Sequence, residues 1–299
     1  LPGGLDASFD AVALHPGDVV VDATASCALA AQHAAWLGSG VDVVTANKMG
    51  AGGSLESARA LMRACAATGA AYGDSATVGA GLPLLATLRR LVRGGDEILR
   101  IEGVLSGSLA WLFARFDGET PFSELVALAQ AAGLTEPDPR VDLSGEDVVR
   151  KLLILARAAG MPLERESLTV EGLVPSPGTR IPAVAQGGFA YLDPDLAARR
   201  AGAAANGEQL CYVGSVDASG GTVGLQRLPR GHALRGGCGT DNRVAIFSSR
   251  YRDRPLVIQG AGAGPMVTAA ALLDDLMALL ERPVRAYIPP RHERSVANA

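Results

Sequence analysis

Two short runs of β-branched residues, each closing on small polar ones, constrain this chain most: "GDVVVDATAS" at 17–26 and "VDVVTANK" at 41–48. Neither alternates polar with apolar residues. Each therefore reads as a strand covered on both faces, the pattern of a parallel sheet. A helix over 27–39, ending near Gly38–Gly40, separates them, and a helix at about 54–69 and a short strand at 71–73 follow. Strand, helix, strand, helix at this spacing predicts βαβ units in an open α/β sheet. Ligands of such sheets sit beyond the carboxyl ends of the strands. Thr24, Ser26, Thr45, Asn47 and Lys48 all fall there.

Further along, "ATVGAGLPLLATLRRLV" (76–92) predicts a glycine turn running into a helix. "ILRIEGVLSGSLAWLFARF" (98–116) predicts a strand, a turn and a helix, and further helices are expected at 121–133 and 145–160. From 205 to 259 the pattern changes to short strands with glycine turns, which predicts an antiparallel or mixed sheet in a second domain. "VIQGAGAGPMVTAAALLDDLMALL" (257–280) reads as strand, glycine loop and helix, and 283–299, rich in Pro and Arg, as a frayed tail. A length of 299 residues suits one large or two modest domains. The net charge of −4 offers no basic patch, which argues against nucleic acid or an anionic membrane surface as partner. No run of about 18 apolar residues could span a bilayer. Cys27, Cys65, Cys211 and Cys238 stand far apart with no metal-ligand spacing, so reduced thiols in the cytoplasm are expected. The first residue is leucine and no signal peptide is evident, so the chain is expected to be a piece of a longer protein.

Arginine carries nearly all the positive charge. Of 27 basic residues only Lys48 and Lys151 are lysines. Lys151 lies in "GLTEPDPRVDLSGEDVVRKLL" (133–153), where Ser144 is placed to cap a helix with Asp147 in the capping-box position. Asp147 and Lys151, four residues apart, share one helix face. The helix "VVRKLLILARAAG" is apolar on nearly every side and must be buried. Burial pushes a lysine pKa down and a carboxylate pushes it back up, so such an amine can exchange a proton near neutral pH, which an arginine cannot. A surface ion pair is the plain alternative, but arginine would serve there equally well. Glu136, Asp138 and Asp142 lie in a loop stiffened by Pro137 and Pro139, either to bind a substrate ammonium or as a solvated acidic turn. Lys48, at a strand end, is either a ligand group or a snorkelling surface lysine. "GAGAG" (260–264) is not the G-x-G-x-x-G fingerprint, which occurs nowhere in the chain, but it could bring helix amides to an anion or cofactor. "VGAG" (78–81) could present backbone carbonyls or amides in the same way.

Together these stretches resemble homoserine dehydrogenases. "AQAAGLTEPDPRVDLSGEDVVRK" (129–151) matches that family's signature, and "VVTANK", "ATVGAGLP", "GDEILRIEGVLSGSL" and "PLVIQGAGAGPMVTAA" follow the family's order, over roughly 17–175 and 240–280. The resemblance implies an α/β fold with an incomplete Rossmann-type parallel sheet in 1–82, rejoined by 260–282. It further implies an α+β catalytic and dimerisation domain with a mixed sheet in 83–259. The implied reaction is NAD(P)-dependent interconversion of L-aspartate 4-semialdehyde and L-homoserine, in threonine, methionine and isoleucine biosynthesis. Lys151 and Lys48 would be the protonating lysines, with Asp147 orienting Lys151. Glu136 and Asp142, with the Gly107–Ser108 turn, would line the amino-acid pocket. Thr24, Ser26, Thr45, Asn47, Lys48, Gly262 and Gly264 would lie along the NADP or NAD. The backbone carbonyls of Ser75, Val78, Ala80 and Leu82 would hold a monovalent cation, Na+ or K+. A homodimer through the mixed sheet is implied, and an aspartate kinase ahead of residue 1 would suit a bifunctional parent.

The chain departs from the family at Leu134, where an aromatic is usual, and at Val141, where an acid is usual. The family's first strand, glycine fingerprint and first helix are expected ahead of residue 1. The contrasting reading is a cofactor-deficient remnant that oligomerises or regulates through the strands of 205–259. The 299-residue chain is accordingly expected to bind NAD(P) weakly, because the pyrophosphate would lack its helix N-terminus. Calorimetric titration with NADPH checks this, and a low-micromolar dissociation constant would overturn it.

Overall fold

The computed structural model describes residues 13–175, 188–237 and 239–282. The expected tail, Cys238 and the first residues of the expected amino-terminal unit lie outside that range. The two β-branched runs form β1 (Val19–Asp22) and β2 (Asp42–Thr45), with β3 (Tyr72–Gly73) completing a parallel sheet in the order β1-β2-β3. Val43 and Val44 on the central strand are fully buried. Leu37 of α1 (Cys27–Gly38) and Leu61 of α2 (Leu55–Thr68) pack with Val43. Ser26 starts α1 by accepting the Leu29 N–H, and Ser54 starts α2 by accepting that of Ser57. Gly69 ends α2 in the left-handed region at φ 73°, its N–H returning to the Cys65 carbonyl.

The second layer runs through α3 (Leu84–Arg93), β4 (Ile98–Val104), α4 (Gly107–Arg115), α5 (Phe122–Ala131), α6 (Arg140–Leu143) and α7 (Glu146–Ala158). It continues through β5 (Leu168–Val170), α8 (Asp193–Ala205), β6 (Gln209–Asp217), β7 (Gly220–Leu228), β8 (Asp241–Ser248) and β9 (Leu256–Ala261). The strands make a mixed sheet ordered β5-β7-β6-β4-β8-β9, antiparallel except between β5 and β7. The fold is thus mixed α/β, with one parallel and one mixed sheet. α7 crosses β6 so closely that a Cβ at Gly214 would lie 3.1 Å from the Val148 side chain. Val149, Leu152 and Leu155 of α7 are fully buried, as the all-round apolar pattern requires. The last described helix, α9 (Pro265–Leu280), returns to the parallel sheet, where Asp275 accepts the Ser75 N–H and hydroxyl at 2.9 and 2.7 Å.

Three features differ from the sequence reading. Ser144 does not cap α7. Arg140–Leu143 folds as its own short helix, Gly145 makes the break at φ 78°, and the Ser144 hydroxyl donates to Val141 and accepts the Glu146 N–H. α8 and β5 went unpredicted, although Pro194 in the first turn of an alanine-rich run is a start signal for α8.

A buried polar cluster ties β1 to its neighbours. The Asp22 carboxylate accepts the Thr24 N–H and hydroxyl at 2.9 and 2.7 Å on one oxygen. Its other oxygen meets His33 Nε2 and Asn47 Nδ2, each at 2.9 Å. His33 is fully buried on α1, and its Nδ1 lies 3.2 Å from the Tyr72 hydroxyl. Burial pushes the Tyr72 phenol well up, so it stays protonated and donates to Nδ1 while Nε2–H donates to Asp22. Burial pushes the His33 imidazole below its ordinary value by more than the Asp22 hydrogen bond and charge raise it. Burial pushes the Asp22 carboxyl up, but the hydrogen bonds from Thr24, Asn47 and His33 together leave it lowered. An unfolded imidazole takes its proton first, near pH 6.5, so the stability from neutral His33 is complete above that value and lost as pH falls toward the lower folded one. The Asp22 contribution has the same sign but is lost only below its ordinary 3.8. The urea midpoint of the native chain is therefore expected to fall between about pH 7 and about pH 5.5. That of His33→Gln should start lower and change less over the interval, and parallel pH slopes would remove His33 from the account.

Candidate active site

A cleft of about 690 Å³ opens where the carboxyl ends of β1 and β2 face the turn before α4, the 133–142 loop and the first turns of α7. Lys151 lies at its base, 8% exposed, on a helix whose residues from Lys151 to Ala156 are all buried. Its ammonium donates to the Asp147 carboxylate at 2.7 Å and to the Leu105 carbonyl at 2.8 Å. Lys48 approaches the other oxygen of Asp147 at 3.6 Å, so one carboxylate lies between the two lysines of the chain. Burial pushes the Asp147 carboxyl up, and the Lys151 and Lys48 charges outweigh it and hold it below the ordinary carboxylate value. Lys151 is nearly enclosed, whereas Lys48 and Asp147 keep about a third of their side chains in solvent.

Of the acids in the Pro-punctuated loop, Glu136 and Asp142 line the cleft. Asp142 accepts the Ser108 hydroxyl at 2.7 Å and the Glu136 N–H at 2.9 Å, thereby fixing the loop that carries Glu136. Asp138 instead turns to Arg140 at 2.8 Å, and the guanidinium holds its carboxyl below the ordinary range. Gly107 permits a close approach, since a Cβ there would lie 3.1 Å from the Thr240 carbonyl. Leu134 and Val141 also line the cleft, so both departures from the family pattern face it.

Thr24, Asn47, Lys48 and Gly264 reach the cleft from the parallel-sheet side. Ser26, Thr45 and Gly262, the other residues expected along the cofactor, are not among those that line it. Thr45 is fully buried, its hydroxyl donating to the Asp22 carbonyl and accepting the Asn47 N–H. Ser26 spends its hydroxyl on α1 and its carbonyl on Asn47 Nδ2. Gly262 is buried against Asn242, and a side chain there would collide with that amide. Asp22 and His33, which hold Thr24 and Asn47, were not singled out from sequence. The one available signal was an acid closing a β-branched strand, a residue type seldom buried without partners.

Ser75, Val78, Ala80 and Leu82 lie outside the cleft, in the turn between β3 and α3. Gly79 and Ala80 are consecutive left-handed residues at φ 75° and 49°, and Ala80 is the only non-glycine in that region among the described residues. Backbone held this way is uncommon away from glycine and persists only where its surroundings over-determine it. Among the described residues no group of three or more His, Cys, Asp or Glu could hold a metal through side chains. No described helix is long and apolar enough to cross a membrane.

A family profile for homoserine dehydrogenase matches residues 83–277, and one for the homoserine dehydrogenase NAD binding domain matches residues 5–72. The chloroplastic bifunctional aspartokinase/homoserine dehydrogenase 2 of Arabidopsis thaliana is 44% identical over 268 residues, covering 88% of this chain and 29% of its own. The chain thus spans less than a third of that relative's length. The homoserine dehydrogenase of Emericella nidulans is 41% identical over 282 residues, covering 89% of this chain and 77% of its own. A Candida auris protein described as of unknown function has a crystal structure that matches with a TM-score of 0.81 at 37% identity, covering 88% of this chain and 76% of its own. With its sequence matched along most of its length, this chain belongs to the homoserine dehydrogenase family.

Proposed function

We propose that this chain interconverts L-aspartate 4-semialdehyde and L-homoserine with NAD(P), as a cytoplasmic enzyme of threonine, methionine and isoleucine biosynthesis. The observation that carries the reading is the buried Lys151 paired with Asp147, with Lys48 on the opposite carboxylate oxygen. NAD(P)H, when bound along Thr24, Asn47, Lys48 and Gly264, supplies the hydride taken by the aldehyde carbon. The groups present fit it, with a strand-end cleft, a backbone approach at Gly264 and a cationic lysine. As the carbonyl π pair moves to oxygen, Lys151 donates a proton to that oxygen, leaving an alcohol and a neutral amine. Asp147 then stabilises the next proton on Lys151, which arrives through the partly exposed Lys48 and Asp147. In the reverse direction Lys151 takes the hydroxyl proton. Glu136 binds the substrate ammonium, and the Gly107–Ser108 turn, held by Asp142, closes round the amino-acid end.

The supporting assignments share this reading. The carbonyls of Ser75, Val78, Ala80 and Leu82 hold a monovalent cation in the turn strained at Ala80. Residues 1–82 with 260–282 form the nucleotide-binding unit, 83–259 the catalytic and dimerisation unit, and 283–299 the tail. The mixed sheet joins two copies, and sedimentation velocity at micromolar concentration should give a dimer mass, a monomer refuting the interface. The functional test is NADPH absorbance with aspartate 4-semialdehyde. Lys151→Arg keeps the charge but removes the transferable proton, and should lower kcat by about 10²–10⁴-fold with unchanged circular dichroism. Native turnover in that variant, or none in the native chain extended upstream, would overturn the reading.

A further inference from the structure

A second cavity, of about 480 Å³, lies behind the active-site turn, between α2, β3, α3 and α7. That volume falls within the roughly 300–1,000 Å³ of small-molecule sites. Its walls are largely apolar, from Leu61, Met62, Tyr72, Val92, Ile154 and Ala158. Met62 is 66% exposed and Val92 38%, so apolar surface is left open to solvent there.

Its charged groups are unequal in number and in freedom. Four arginines line it, Arg89, Arg93, Arg157 and Arg282, against one acid, Asp74. Asp74 is fully used by Arg89, which grips both its oxygens at 2.6 and 2.7 Å. Arg157 spends its guanidinium on the carbonyls of Ala51, Gly53 and Leu163. Arg93 and Arg282 pair with no carboxylate among the described residues. Arg93 gives its Nε to the Arg89 carbonyl at 3.3 Å, which leaves its two terminal nitrogens without a carboxylate. An apolar chamber with two guanidinium groups that no described acid meets complements a carboxylate on an apolar body. A guanidinium binds a carboxylate through two parallel N–H donors. A zwitterionic amino acid would bring an ammonium with no acid to meet it.

The cavity also touches the active-site frame. Ala51 lines it from the turn that begins at Lys48, whose carbonyl accepts the Gly52 N–H at 2.8 Å. Ile154, Arg157 and Ala158 line it from the helix that carries Asp147 and Lys151.

We propose that this cavity is a second ligand site, taking an apolar monocarboxylate with its carboxylate on Arg93 and Arg282, and that its occupant braces the Lys48 turn against α7. The binding half stands independently of the catalytic reading; the bracing half rests on it.

Octanoate is a suitable probe. Calorimetry on the full chain should show saturable binding of octanoate but not of octylamine. Ala58→Trp, which places a large ring in the cavity, should abolish it, and Arg93→Ala with Arg282→Ala should weaken it about tenfold or more. Lys151→Arg and saturating NADPH should leave it unchanged. No heat with octanoate, equal binding of octylamine, or loss of binding with NADPH or Lys151→Arg would overturn the site, the last two outcomes placing octanoate in the cleft. For the bracing half, saturating octanoate should change kcat by about fivefold in the native chain and not in Ala58→Trp. Unchanged kcat alongside intact binding would overturn the coupling alone, and absence of turnover in the chain extended upstream would refute the catalytic reading without touching the binding result.

Discussion

The site depends on a single carboxylate. Asp147 lies between two ammonium groups that arrive from different layers, Lys151 from its own helix and Lys48 from the end of a parallel strand. Without it, two positive charges would share a cleft in which Lys151 is almost dry, and mutual repulsion would drive one of them outward. With it, the pair is compensated and Lys151 is aimed by two acceptors, Asp147 and the Leu105 carbonyl. Three N–H donors on a flexible stem would otherwise point anywhere; two fixed acceptors hold the ammonium in one place and leave one N–H over.

Lysine occurs nowhere else in the chain. A side chain that only repels or attracts can be arginine, and on this chain it nearly always is. Arg157 shows the contrast within one helix. A turn and a half beyond Lys151 it is 9% exposed on its side chain and spans three carbonyls, joining the Lys48 turn to the end of α7. Burial lowers its pKa, yet a guanidinium remains charged throughout the range of biological pH. It holds the frame as a fixed cation.

Much of this was legible in the sequence because it is local. The β-branched runs, the helix apolar on every side and the four-residue spacing of Asp147 and Lys151 each follow from chain period alone. Contacts across long separations were not legible. Asp22 meets Asn47 25 residues away, and Arg157 meets Ala51 across 106, and neither pairing leaves a mark on local pattern. The misplaced cap has a different cause. Ser144 carries a sound capping signal, but three residues earlier the chain has already turned helical after Pro139, so the hydroxyl falls at the junction of two helices. Tertiary closure decides between two local options that the sequence presents equally well.

The polar cluster beneath the cleft carries the same logic one layer deeper. An apolar core under β1 would pack as well, but it could not fix the turns at 22–26 and 45–49, which line the cleft. Asp22 fixes both, since one oxygen sets the Thr24 turn and the other reaches Asn47, which in turn takes the Ser26 carbonyl and the Met49 N–H. The two loops are thereby tied to one another rather than separately to the sheet. A buried carboxylate tolerates this only when its acceptor sites are occupied, and each Asp22 oxygen accepts two hydrogen bonds. The cost of burying the charge is offset by removing freedom from the segments that would otherwise have to be ordered when a cofactor binds.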